Sequence, residues 1–120
     1  MSSAKVGDCG GRATYSRHGY WVVTIYQYRG WSKVQEHHVW QPVSVDQVFD
    51  VNTVNEQLQA SRLPLIAERV EDELRLSPVV GRRDVSFEGI RLKRFLKKYY
   101  GIIGERRRPV SWDISIDLPD

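Results

Sequence analysis

Eight basic side chains crowd one short stretch of the chain: Arg91, Lys93, Arg94, Lys97 and Lys98, then Arg106, Arg107 and Arg108. Lysine and arginine spread along one surface are what a phosphate backbone requires, because each neutralised phosphate releases a condensed counterion. At about 100° per residue, the first five fill one side of a helix while Leu92, Phe95, Leu96 and Tyr99 fill the other. Phe87 and Ile90 stand outside that apolar stripe, so the first turn faces something else. Tyr99 and Tyr100 adjoin the bases and offer rings for stacking on unpaired nucleobases, as do exposed members of the set Tyr20, Tyr26 and Tyr28. The pattern predicts a phosphate-contacting surface for RNA or DNA. The same charge also allows an acidic protein partner or a plain solvated face.

A second set of residues suits protein contacts. The chain has four tryptophans, Trp21, Trp31, Trp40 and Trp112, and exposed tryptophan is a favoured interface anchor. Trp112 falls on an apolar face and is expected in the core, whereas Trp31 and Trp40 flank a hairpin with Tyr26 and Tyr28. The alternative function is therefore an assembly or interaction subunit: an adaptor, an inhibitor or a structural component. Hairpin aromatics Trp31, Trp40, Tyr26 and Tyr28 would form the contact, with the basic helix on an acidic surface. That surface can belong to another protein or to a second copy of this chain.

Catalytic and metal chemistry find little to work with. His37 and His38 are adjacent, which sends them to opposite faces of a strand, and His18 brings the ligand count to two at best. Cys9 sits in a glycine-rich segment where nothing is expected to fix it as a nucleophile. Glu68 and Asp72 are spaced for one helix face, but a solvated one that does not suit them to acid–base work. Gly10-Gly11 matches no phosphate-binding loop. The expectation is a non-enzymatic protein without metal or cofactor.

The elements that must position these groups follow from patterning. With 120 residues, 41% hydrophobic and 28% charged, the chain suits one globular domain. Residues 1–11 are small, polar and glycine-rich, so the expectation is a loose tail before a single α+β domain over 12–120. Tyr20–Tyr28 is a strand with Trp21, Val23 and Ile25 on one face. Arg29-Gly30 suits a turn into a second strand over Trp31–Trp40, and Arg12–His18 supplies a weaker third. Ser44 with Gln47, stapled by Val43 and Val48, and Thr53 with Glu56 fit two capping boxes, the second opening a helix over Val54–Ala60. Ile66, Val70 and Leu74 at four-residue spacing predict an amphipathic acidic helix over Leu65–Leu76. The basic helix is expected to start near Asp84 or Ser86 and stop at Gly101. Val110, Trp112, Ile114, Ile116 and Leu118 alternate with polar residues, including Asp113 and Asp117, as a half-buried strand. Together these give an antiparallel sheet, an N-terminal hairpin or three strands plus a C-terminal one, with two or three helices on one face.

Charge is segregated along this order. Residues 46–73 carry a local −5 and residues 82–108 a local +7, within a total of +3. Such polarity speaks to partners rather than to fold. No apolar run approaches the ~20 residues of a membrane span. The first residues lack the apolar stretch of a secretory signal, so an intracellular place, cytoplasmic or nuclear, is expected.

Overall fold

Trp21, Val23 and Ile25 are buried and alternate with half-buried Val22, Thr24 and Tyr26, and the strand they form is the middle of the fold. The computed structural model describes residues 6, 9–43, 50–71, 73–79, 84–103 and 109–116, with side chains at 99–103 and 109–111 outside that description. In chain order the elements are β1 (Cys9–Tyr15), β2 (Trp21–Ser32), β3 (His37–Val43), α1 (Val51–Ala60), β4 (Leu65–Val70), β5 (Glu73–Pro78), α2 (Val85–Ile103) and β6 (Pro109–Ile116). The result is a mixed α/β fold with one six-stranded sheet, ordered β4-β5-β2-β1-β6, and β3 also on β2. One edge of β2 carries β1 on Trp21–Gln27; the other is shared, with β5 on Trp21–Val23 and β3 on Ile25–Ser32.

The helices pack on one face. Val54 and Leu58 of α1, and Leu92, Phe95 and Leu96 of α2, share a core with Ala13, Trp21, Val23, Ile25, Leu65, Ala67, Leu74, Leu76 and Trp112. Asp84 caps α2 by accepting a hydrogen bond from the Phe87 amide at 3.1 Å. α1 ends in a left-handed Arg62 (φ 57°), with the Arg62 amide on Gln59 O and the Leu63 amide on Leu58 O. Asn55 ties α1 to the outermost strand. Its Oδ1 accepts from the Ala67 amide at 2.7 Å and its Nδ2 donates to the Ala67 carbonyl at 3.0 Å. One side chain thus supplies what a further strand would supply to the β4 edge. Asn55→Ala is expected to cost about 2 kcal/mol, because Ala67 is buried and both its backbone groups lose partners. A urea titration should show the midpoint falling with an unchanged slope.

Several expectations need correction. The acidic helix over Leu65–Leu76 is instead the β4–β5 hairpin, with Val70 opposite Glu73 and Glu71 at φ 57° in the turn. Leu65, Ala67, Leu74 and Leu76 point into the core at period two, whereas Ile66, the first residue of the supposed helical stripe, is exposed. The turn after β2 lies at Lys33–Glu36 rather than Arg29-Gly30. Gly30, at φ 107°, serves a β-bulge in which Arg29 is the extra residue between the pairs Tyr28–Trp40 and Gly30–Val39. β1 begins at Cys9, inside the segment expected as tail, and Cys9 is 1% exposed in the core. The sheet is not wholly antiparallel, since β6 runs parallel to β1. A long crossover through α2 returns the chain to the end at which β1 starts. α1 starts three residues before Val54, and α2 continues past Gly101 to Ile103, glycine being tolerated within a helix at about 1 kcal/mol. The Ser44–Gln47 capping box lies outside the described residues.

Candidate nucleic-acid interface

With both helices on one face, the other face of the sheet is open, and strand register decides what it displays. Residues facing outward on β2 are Val22, Thr24, Tyr26 and Tyr28, the complement of the buried Trp21, Val23 and Ile25. Pairing aligns Glu68, Arg75, Val22, Thr14 and Ser115 in one row across the sheet. Thr14 and Ser115 are hydrogen-bonded through their hydroxyls at 3.0 Å. The next row holds Thr24, Arg12 and Asp113; beyond it Pro42, Tyr26 and Gly10 align, then Trp40 with Tyr28.

The outcome is two groups of rings, one at Tyr20 just before β2 and one from Tyr26 to Trp31, with Val22 and Thr24 between them. Tyr20 stacks near His18 at a centroid separation of 6.0 Å, and the Arg75 guanidinium lies 4.9 Å over the Tyr20 ring. The Arg12 guanidinium stands 5.9 Å over Tyr26. Farther along, Tyr28 meets Trp40 at 5.0 Å and His38 at 5.5 Å, and His38 meets Trp31 at 5.0 Å. Tyr28 Oη and His38 Nδ1 share a hydrogen bond of 2.6 Å. Tyr28 is itself only 7% exposed, so it buttresses Trp40 and His38, whereas Trp31 (57%) and Trp40 (40%) present their rings to solvent. Guanidinium over an aromatic ring is a favourable arrangement in its own right. Arg75 is held there from the other side as well, its Nε donating to Glu73 Oε2 at 3.4 Å.

The four hairpin aromatics expected as a partner surface, Tyr26, Tyr28, Trp31 and Trp40, therefore do come to one face. Odd and even numbering would put Trp31 and Trp40 on opposite faces of a single strand. They belong to different strands, and the extra residue at Arg29 turns Trp31 back to the side of His38. Both His37 and His38 are exposed, and His37 Nδ1 pairs with the His38 carbonyl oxygen at 2.7 Å.

The expected phosphate surface on α2 is placed elsewhere. α2 presses Gly89 against the sheet, where a methyl group would come within 3.1 Å of Ile114 Cγ2 and Trp21 Cη2. Its outer side, with exposed Arg94, Lys97 and Lys98 and half-buried Lys93, faces away from the sheet. Phe87 and Ile90 are exposed on that same side. Arg91 is engaged structurally: its Nη2 donates to the Ser61 carbonyl at 3.3 Å and to the Arg62 carbonyl at 3.1 Å. That places a cation at the negative end of α1. The tyrosine side chains of Tyr99 and Tyr100, and all of Arg106, Arg107 and Arg108, lie outside the described residues. The acidic segment of 46–73 offers a neighbouring copy a β-hairpin and α1 rather than an acidic helix.

Arg12, Arg75, His38 and Asp113 are the members of the open face that the sequence did not single out for binding. Only register brings them beside the tyrosines, and register is not written in any one segment. Among the described residues, no group of three or more histidine, cysteine, aspartate or glutamate side chains is arranged for a metal ion. No helix among them is long and apolar enough to cross a membrane. Comparison with protein-family models, curated proteins and solved structures finds no match to this chain.

Proposed function

We propose that this chain binds single-stranded nucleic acid, RNA or DNA, on the open face of its sheet. The observation that carries the reading is two groups of rings on this face, Tyr20 with Arg75 and then Tyr26, Trp40 and Trp31 with Arg12. A single strand exposes base faces that stack on such rings, and its phosphates pair with the flanking arginines. A duplex hides those faces. The basic outer side of α2 acts at longer range, raising the local concentration of polyanion and the rate of encounter.

The test is a titration of labelled single- and double-stranded oligonucleotides at two salt concentrations. Single strands should bind more tightly than duplex of the same length. Tyr20→Ala and Trp40→Ala should each weaken single-strand binding roughly 5- to 100-fold, the worth of one stacked base. Reversing Lys97 and Lys98 to glutamate should leave the salt slope within about 0.5, since neither touches the strand in this reading. A slope flattened by about 1.4, together with a preference for duplex, transfers the phosphate contacts to α2. Absence of binding at low salt overturns the proposal.

A second reading, a protein-interaction or assembly subunit, is favoured by the exposure of Phe87 and Ile90 beside Arg94 and Lys97. It is distinguished by a native mass that is a multiple of the chain's and is lost on Phe87→Ser with Ile90→Ser.

A further inference from the structure

Between β2 and β6 the open face is hollowed. A groove of about 400 Å³ is lined by Gly10, Gly11, Arg12, Tyr26, Trp40 and Asp113. Its origin is Gly10 of β1, which lies in register between Tyr26 and Ser111 and, without a side chain, leaves the floor between neighbouring strands empty. Tyr26 and Trp40 contribute aromatic surface to the walls. Arg12 and Asp113 are cross-strand neighbours at the rim. Among the described residues neither is held in an ion pair, so a planar donor fork and a carboxylate stand side by side over aromatic walls.

We infer that this groove binds a guanine base, a conclusion that rests on the single-strand reading and assigns its preferred base. A carboxylate accepts hydrogen bonds only, so it needs a base edge with donors next to one another. Guanine alone provides two, N1–H and the N2 amino group. Adenine and cytosine place a ring-nitrogen acceptor beside their amino donor, and uracil and thymine flank N3–H with two carbonyl oxygens. Each of those acceptors would face Asp113 with like charge. Arginine supplies the converse recognition, because O6 and N7 of guanine are the acceptors its fork matches best. Asp113 and Arg12 thus address the donor and acceptor edges of the same base, while Tyr26 and Trp40 offer their rings to its π-face.

The source of the guanine can be a strand or a free nucleotide, and the experiment separates them. Oligouridine strands carrying one central guanosine, inosine, adenosine or cytidine are titrated by fluorescence anisotropy, and guanosine monophosphate is added as a competitor. Guanosine should bind about 10- to 100-fold more tightly than the other bases, the discrimination of a good bidentate contact. Inosine, which lacks the N2 amino group, should lose a large part of that gain. Asp113→Asn should bring guanosine down to the level of uridine in the same protein. Displacement of the strand by the mononucleotide at micromolar concentration assigns the groove to a free nucleotide; no displacement assigns it to guanine within a strand. Equal affinity for all four bases, with oligouridine still bound, overturns the guanine assignment and leaves the stacking platform standing. Loss of all strand binding overturns both. The inosine comparison uses the unaltered protein, so the inference stays testable even if Asp113→Asn folds poorly.

Discussion

Gly11→Val is expected to lower the thermal midpoint by roughly 10 °C or more, through the loss of about 3 kcal/mol or more. Gly11 points into the core from β1, directly beside Trp112 of β6. A Cβ at position 11 would overlap Cε3 and Cζ3 of the Trp112 ring. The indole is 3% exposed and rigid, so it can yield only by leaving the core. Overpacking alone costs about 1–3 kcal/mol, and expulsion of a buried tryptophan forfeits a further sum of similar size. The coupling is measured in a double-mutant cycle. Gly11→Ala should be costly in the native background and much milder when Trp112→Leu has removed the ring. Equal costs in both backgrounds would show that backbone freedom, and not the indole, explains the glycine.

Glu88→Ala should destabilise by about 2–4 kcal/mol, while Glu88→Gln should cost under about 1.5 kcal/mol. Glu88 is a carboxylate on the inner side of α2, only 6% exposed. Its Oε1 accepts a hydrogen bond of 2.7 Å from Nε1–H of Trp21, itself fully buried. Removing the acceptor strands an indole N–H in the core; glutamine keeps an oxygen there. Truncation from the other side is also informative. Trp21→Phe retains most of the apolar volume but removes the donor, and a hydrogen bond to a charged group contributes about 1.5–3 kcal/mol. Denaturant midpoints for the three variants, read against one another, separate packing from the polar contact.

How much of this was legible follows from where periodicity was unambiguous. β6 was read nearly as it stands, because Trp112 and Ile114 alternate with Ser111 and Asp113 over a run too long to fit another period. α2 is legible at its start, which falls between the expected Asp84 and Ser86, but not at its end, because it runs through Gly101 to Ile103. The β4–β5 hairpin was not legible. Ile66, Val70 and Leu74 imitate a helix stripe, and Glu, Leu, Ala and Arg are all good helix formers. The opposing evidence was Pro64 and Pro78 at the ends of the segment, and Pro78 does pair with Leu65. The sequence between the paired Val70 and Glu73, Glu71-Asp72, lacks the Asn-Gly signal that would have exposed the hairpin. For the candidate site the rings were visible as a face of β2, but their arginine and aspartate neighbours were not. Arg75 and Asp113 sit tens of residues from the tyrosines in sequence and Arg12 lies on the preceding strand, and only the pairing of three further strands makes them one surface.

The parallel pairing of β1 with β6 also has a meaning in time. Thr14 and Ser115 meet across 101 residues of intervening chain. During synthesis at about 5–20 residues per second, β1 emerges roughly 5–20 s before its outer neighbour exists. Through that interval the glycine-rich outer edge of β1 is an unpaired row of amides and carbonyls, open to any extended peptide. The groove beside Gly10 is likewise incomplete, because Asp113 arrives last. A nascent chain can assemble its rings on β2 and β3 early, yet the groove with its carboxylate is finished only when the sheet closes. Such long-range closure makes folding slow relative to a helical domain of equal size.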